Sequence, residues 1–492
     1  MTATITQASQ ESETRIETAL SAKRWLILFL LTTTAAQSFF MEMSFGIVND
    51  IYVYYFNISY AEADWVVTGA YAGMLSTAPI MAWLTYKRYI ALRLTAIIHA
   101  LSILLNTLFI VIAVAARTSY ALVMIGQFFN GISRLLLFSL FSTLAVLWFP
   151  DSQVGTAMGL YIGGCNVGGI LGSILPGYLL EPVPKFNNGT GNWTDIVLNL
   201  AVFDWMAHNR LTMLAMYSSM LALSIIVLVL TWLLVTDLPP KPPTLAQAAK
   251  RRQLVEVEHS LEGSFLSECK NLFSEHGFVG ITIIAGFVGR AYGVELAMMS
   301  EMLRGIYSDD SFDLKPDLLG GILTGLFNLG CIAGNIIGAK LLNNWKNYKI
   351  LITVGSFLSW LAFTSLLLSF ALKQYVAISI ATVLFSIPMR ISILVSYEIA
   401  TQETYPMDEL FVNLWFTGGQ AVVGIVVLEL CRVFYDNISA LAVLAFQAVV
   451  LLVAVLLSFM LRLQNRRLNV EQKFGQASMN GETEATETTP LN

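Results

Sequence analysis

A chain of 492 residues that is 56% hydrophobic, only 12% charged, and has a mean hydropathy of +0.67 falls outside the soluble globular class, where roughly a quarter of residues carry charge. The formal charge of -5 gives no reason to expect a nucleic-acid partner, and the four cysteines (Cys165, Cys269, Cys331, Cys431) have neither disulfide nor metal spacing. What remains is a polytopic membrane protein in contact with the lipid bilayer.

In chain order, residues 1–22 are rich in Thr, Ser and Glu and read as a disordered tail without a cleavable signal peptide. A span of about 20 apolar residues crosses a hydrocarbon core roughly 30 Å thick. By that measure spans are expected at 25–48, 65–84, 90–115, 120–149, 154–180 and 211–235. Span 5 is studded with glycine (Gly155, Gly159, Gly163, Gly164, Gly168, Gly169, Gly172), which predicts close helix packing on several sides. Residues 237–276 are Pro-rich and charged with no apolar span, so they read as a central loop. Six further spans follow at 278–303, 318–342, 350–372, 375–398, 410–433 and 438–463, and residues 465–492 read as a second disordered tail.

Lys and Arg set orientation. Eighteen of them fall on the side that holds both tails and the central loop, and six fall on the other (Arg117, Lys185, Arg210, Arg304, Lys315, Lys373). The positive-inside bias puts the termini in the cytosol. It also places the glycosylation sequons at Asn57, Asn188 and Asn192 outside. The expected fold is all-α: a 12-helix membrane protein with six-helix halves at 23–236 and 277–464, the layout of a major facilitator transporter.

Charges inside the spans are the sharpest functional signal. Arg134 sits at the centre of span 4, where an unpaired charge costs from about 3 to over 10 kcal/mol. Glu42 lies in span 1, Arg290 and Glu295 in span 7, Arg390 in span 10. Spans 1, 4, 7 and 10 line the central cavity of the facilitator architecture, so these five residues are candidate solute contacts, and three Arg against two Glu predict a mildly basic cavity. The alternative is that Glu42–Arg134 and Arg290–Glu295 are structural pairs, or that Glu42 and Arg390 lie near an interface and reach water. Glu429 and Arg432, three apart in span 11, are expected to pair with each other. Phe39, Phe40, Phe45 and Tyr292 could stack on a ligand or serve as core, and Asn166, Asn413 and Gln420 could bond solute or a neighbouring helix. His99 reads as a packing residue. No nucleotide-binding loop or hydrolase motif is present, so no enzyme, catalytic residue, metal or cofactor is expected.

GQFFNGISRLLLFSLFSTLAVLWFP followed by GTAMGLYIGGCNVGGILGSILPGYL resembles spans 4 and 5 of the feline leukaemia virus subgroup C receptor-related family. CKNLFSEHGFVGITIIAGFVGRAYG resembles its span 7, and EIATQETYPMDELFVNLWFTGGQAVVG its span 10–11 segment. The lysosomal disrupted-in-renal-carcinoma-like branch is similar in the same places. The resemblance implies a transporter of the haem, choline or ethanolamine type. It also implies pocket positions at Phe40–Met41, Arg134, beside Tyr292, and at Gln420; Arg134 stands where choline carriers of the family have glutamine. An arginine there disfavours a quaternary ammonium and favours an organic anion, haem or a zwitterion. The expected function is therefore alternating-access transport of a small organic solute by a glycosylated monomer of the plasma membrane rather than the endolysosome. A transport-inactive receptor or sensor on the same scaffold is the alternative.

Overall fold

A computed structural model describes residues 19–117, 119–183, 200–243, 264–306, 316–345 and 347–466. They form fourteen helices: α1 (Lys23–Ile47), α2 (Asn49–Phe56), α3 (Tyr60–Tyr86), α4 (Leu92–Ala116), α5 (Tyr120–Trp148), α6 (Asp151–Leu179), α7 (Leu200–Leu234), α8 (Phe265–Ser274), α9 (His276–Ile306), α10 (Pro316–Asn344), α11 (Tyr348–Ala371), α12 (Tyr375–Glu403), α13 (Glu409–Asn437) and α14 (Ala440–Met460). No strand occurs among the described residues. All but α2 and α8 have 21 to 35 residues, and at about 1.5 Å per residue even the shortest reaches across a hydrocarbon core. Ten are long and apolar enough to cross a membrane, and α8 with the first half of α9 passes together as a pair bent by 73°. Helix α3 falls short because Thr68, Gly69, Tyr71, Gly73, Ser76, Thr77 and Pro79 dilute its middle.

Two helices fall where loops were expected. Helix α2 follows α1 after a break at Val48 and buries Ile51, Tyr52, Val53 and Tyr55. It ends on Asn57, whose φ of 55° is left-handed, a conformation Asn tolerates better than most residues. Ser59 then starts α3 in a capping box with Glu62, satisfying backbone donors that the helix itself cannot. Helix α8 lies within the segment read as the central loop and buries Leu272. Sequons Asn188 and Asn192 lie outside the described residues, and Asn57 is exposed.

The glycines of α6 dictate how the bundle closes. Gly164, Gly168 and Gly172, four apart, face Thr32, Ala36 and Phe40 of α1, also four apart, so the two ridges interlock. A Cβ on Gly168 would lie 2.6 Å from the Ala36 Cα, and one on Gly169, on another side of α6, would lie 2.7 Å from the Asn328 amide of α10. Helix α6 thus binds α1 within the first helix group and α10 in the second. Helices α3 and α13 make the other main junction between the groups.

On the side of the bundle where α1 begins (the near face), aromatic rings fill the junction between the groups. Tyr397 of α12 stacks on Phe138 at 6.1 Å and meets Phe141 at 5.4 Å, both from α5, and lies 4.8 Å from Phe416 of α13. Nearer the end, Phe265 of α8 bridges Tyr86 of α3 at 5.8 Å and Phe411 of α13 at 6.3 Å.

Candidate functional site

A cavity lies behind this aromatic seal, lined from both helix groups by Glu42, Arg134, Asn166, Asn328, Arg390 and Gln420 among polar residues, and by Phe39, Phe138, Phe327 and Tyr397 among aromatic ones. It leaves about 70 Å³ for solvent, room for a handful of waters.

Its first-group wall is set by a stripe on α5. Gln127, Asn130 and Arg134 are spaced three and four apart and so share one helix face. The Ser38 hydroxyl donates to Asn130 Oδ1 at 2.8 Å, Asn130 Nδ2 donates to Gln127 Oε1 at 3.1 Å, and Gln127 Nε2 donates to the Met41 carbonyl at 3.4 Å. These bonds hold α5 on α1 and bring Arg134 against Glu42, with which it forms a buried ion pair. Phe39, three residues before Glu42, lies under the guanidinium with its ring centre 5.5 Å away. Phe138, four residues after Arg134, meets Phe39 edge-on at 6.4 Å. The ion pair expected as an alternative is therefore present.

The second-group wall carries Arg390 of α12. Its Nε donates to Asn335 Oδ1 of α10 at 2.8 Å. Among the described residues no carboxylate lies within ion-pair distance of Arg390. Gln420 of α13 is 5% exposed, and its Nε2 finds no acceptor. Asn166 and Asn328 donate their amide protons to the carbonyls of Ile162 (3.2 Å) and Thr324 (2.9 Å) on their own helices.

The structure corrects several expectations. Glu42 and Arg390 do not reach water at a span end: both side chains are buried at the cavity, at 6% and 9% exposure. Arg432 does not pair with Glu429; it pairs with Asp436, one turn on, at 3.8 Å, while Glu429 accepts from Thr68 at 3.4 Å. Phe40 packs on Gly172, and Phe45 stacks on Tyr52 at 4.5 Å, so neither belongs to the cavity. His99 is buried beside Ser133 at 2.8 Å, a helix-packing contact. The side chains of Arg290, Tyr292 and Glu295 on α9 lie outside the described residues, as does the pair expected between two of them. Sequence reasoning missed Asn335, Asn328 and Tyr397, which are ordinary amides and a tyrosine in apolar helices. It also missed Gln127 and Asn130, whose spacing from Arg134 was a usable signal.

The model of the Major Facilitator Superfamily matches residues 28–426. The chain is 24% identical over 402 residues to a transporter from Caenorhabditis elegans named as an uncharacterized MFS-type transporter, covering 81% of this chain and 62% of that one. It is 23% identical over 408 residues to the choline/ethanolamine transporter FLVCR1 of Felis catus, covering 80% of this chain and 64% of the relative. The chain thus spans less than two thirds of the length of these two relatives. The resemblance read from the span 4, 5, 7 and 11 motifs holds. Among solved structures, the outward conformation of the transporter FucP superposes with a TM-score of 0.61 at 13% identity, covering 89% of this chain and 99% of that one, a likeness of fold.

Proposed function

We propose, on the premise that this chain belongs to the Major Facilitator Superfamily, that it carries a small organic solute across a membrane by alternating access, with the central cavity as the binding site. The observation that supports this best is the convergence of buried charge from both helix groups, Glu42 and Arg134 from one and Arg390 from the other, on one cavity between them. Intramembrane charge is expensive and is kept where it serves a pathway. Transport by rocking two helix bodies about a central site needs contacts from both bodies.

In this reading Arg134, Glu42, Arg390 and Gln420 form the described part of the site, and Arg290, Tyr292 and Glu295 of α9 complete it. The two bodies are residues 23–236 and 277–464. Choline and ethanolamine, which the name of the cat relative specifies, are the first solutes to test. Both termini lie in the cytosol, Asn57, Asn188 and Asn192 are glycosylated outside, and a monomer in the plasma membrane is the working form.

The test is solute flux into proteoliposomes with choline and ethanolamine as first substrates. Wild type accumulates or equilibrates the solute. Arg134→Ala, which strands Glu42 and so loses stability, is expected to lose flux even when compared at equal amounts of inserted, folded protein. Normal flux in that variant would refute the central site.

A further inference from the structure

Of the two cavity arginines with described side chains, only Arg134 has its charge met. Glu42 neutralises it, and Phe39 covers it. Arg390 is just as enclosed, at 9% exposure, but its described partner is the neutral amide of Asn335 at 2.8 Å. That contact orients the guanidinium fork and does nothing to its charge. Gln420 lines the same cavity with a buried Nε2 that has no acceptor. Asn166 and Asn328 direct their amide protons to their own helices. Among the described residues the cavity therefore holds one uncompensated positive charge and one donor in want of an acceptor.

A buried guanidinium without a counter-charge is costly, and a planar fork pairs best with a planar two-oxygen anion. We propose that the solute carries a carboxylate, that Arg390 is its binding partner with Gln420 as a second donor, and that Asn335 is a positioning residue. Among the described residues, one net positive charge matches one carboxylate and leaves a phosphate dianion half unmet. The Glu42–Arg134 pair does not receive the anion, because its charges already cancel. This inference rests on the transport reading and deepens it.

Two matched pairs of probes isolate the carboxylate. Glycine betaine and choline share a trimethylammonium head and differ in carboxylate against hydroxymethyl; glycine and ethanolamine differ in the same way. Thermal stabilisation of the purified full chain titrates each by mass action. In at least one pair the carboxylate member is expected to bind about tenfold or more tightly, the scale of one hydrogen-bonded charge. Arg390→Gln removes that preference by weakening the carboxylate members more than the alcohols, and Arg390→Lys keeps part of it. Asn335→Asp, which keeps the side chain's size and supplies Arg390 with an internal carboxylate, removes it too, so the result does not depend on one variant folding.

Equal or tighter binding of choline and ethanolamine in wild type overturns the inference. So does a carboxylate preference that survives Arg390→Gln, or no stabilisation by either carboxylate. Flux of all four probes into proteoliposomes is measured alongside. Flux of choline or ethanolamine without a carboxylate preference leaves transport standing and the anion site refuted, whereas loss of flux for all four refutes both.

Discussion

Arg134 of α5 and Glu42 of α1 form a buried ion pair at the wall of the central cavity, so the most conspicuous charge in the sequence is already answered inside its own helix group. Arg390, the less conspicuous one, is not answered by any described carboxylate, and this asymmetry organises the predictions that follow.

Breaking the Arg134–Glu42 pair from one side strands a charge. Glu42→Gln is expected to destabilise the protein by about 3–5 kcal/mol, the usual cost of leaving a buried partner uncompensated. Glu42→Gln combined with Arg134→Gln is expected to cost less than the sum of the two single changes. Chemical unfolding in detergent reads all three variants, and additive losses would mean the pair is not coupled.

The aromatic seal at the near face has to part if the cavity is to open there. Phe138 and Tyr397 stack at 6.1 Å across the two helix groups. With cysteines at both positions in a Cys269→Ser, Cys331→Ala background, a short bismaleimide is expected to stop flux entirely, while either single cysteine treated the same way retains it. Full flux in the cross-linked protein would show that this junction does not move.

Glycines on α6 should differ sharply by face. Gly168→Ala drives a methyl into the Ala36 backbone and is expected to cost at least about 1–3 kcal/mol. A Cβ on Gly159 meets nothing within 4 Å, so Gly159→Ala is expected to be neutral or to stabilise by up to about 1 kcal/mol through helix propensity. Melting temperatures of the two variants in one detergent decide the matter, and equal losses would contradict the packing of α6 on α1.

Asn57, exposed at the turn between α2 and α3, is expected to carry glycan in a eukaryotic membrane. Asn57→Gln should remove one step of glycosidase-sensitive mobility. An unchanged band pattern would place this turn in the cytosol and reverse the orientation.

The spans were legible because a run of about 20 apolar residues matches the thickness of a hydrocarbon core and suits little else. Arg134 was legible because a charge inside such a run stands out. What the sequence did not disclose is which faces of the helices meet. Asn335 in GCIAGNIIG gives no hint that it holds Arg390 from a neighbouring helix. Glu429 and Arg432 looked like a pair at three residues' spacing, yet Asp436 at i+4 takes the arginine and Thr68 of another helix takes the glutamate. Helix α2 was missed because Asn49, Asp50 and a following sequon resemble a loop, and only burial of Tyr52 and Tyr55 against their neighbours makes it helical. The stripe of Gln127, Asn130 and Arg134 was within reach, since three polar residues on one helix face of an apolar span mark a contact seam.

The most direct test of the central claim uses a side chain already in place. Cys331 of α10 lines the cavity, whereas Cys165 and Cys431 are buried outside its lining. A small methanethiosulfonate reagent is applied to proteoliposomes of wild type and of Cys331→Ala while flux of whichever probe is transported is recorded. The account predicts that the reagent inhibits wild type, that excess solute slows the inhibition, and that Cys331→Ala is resistant. Labelling of Cys331 that leaves flux intact, or equal inhibition of Cys331→Ala, would contradict a solute path through this cavity.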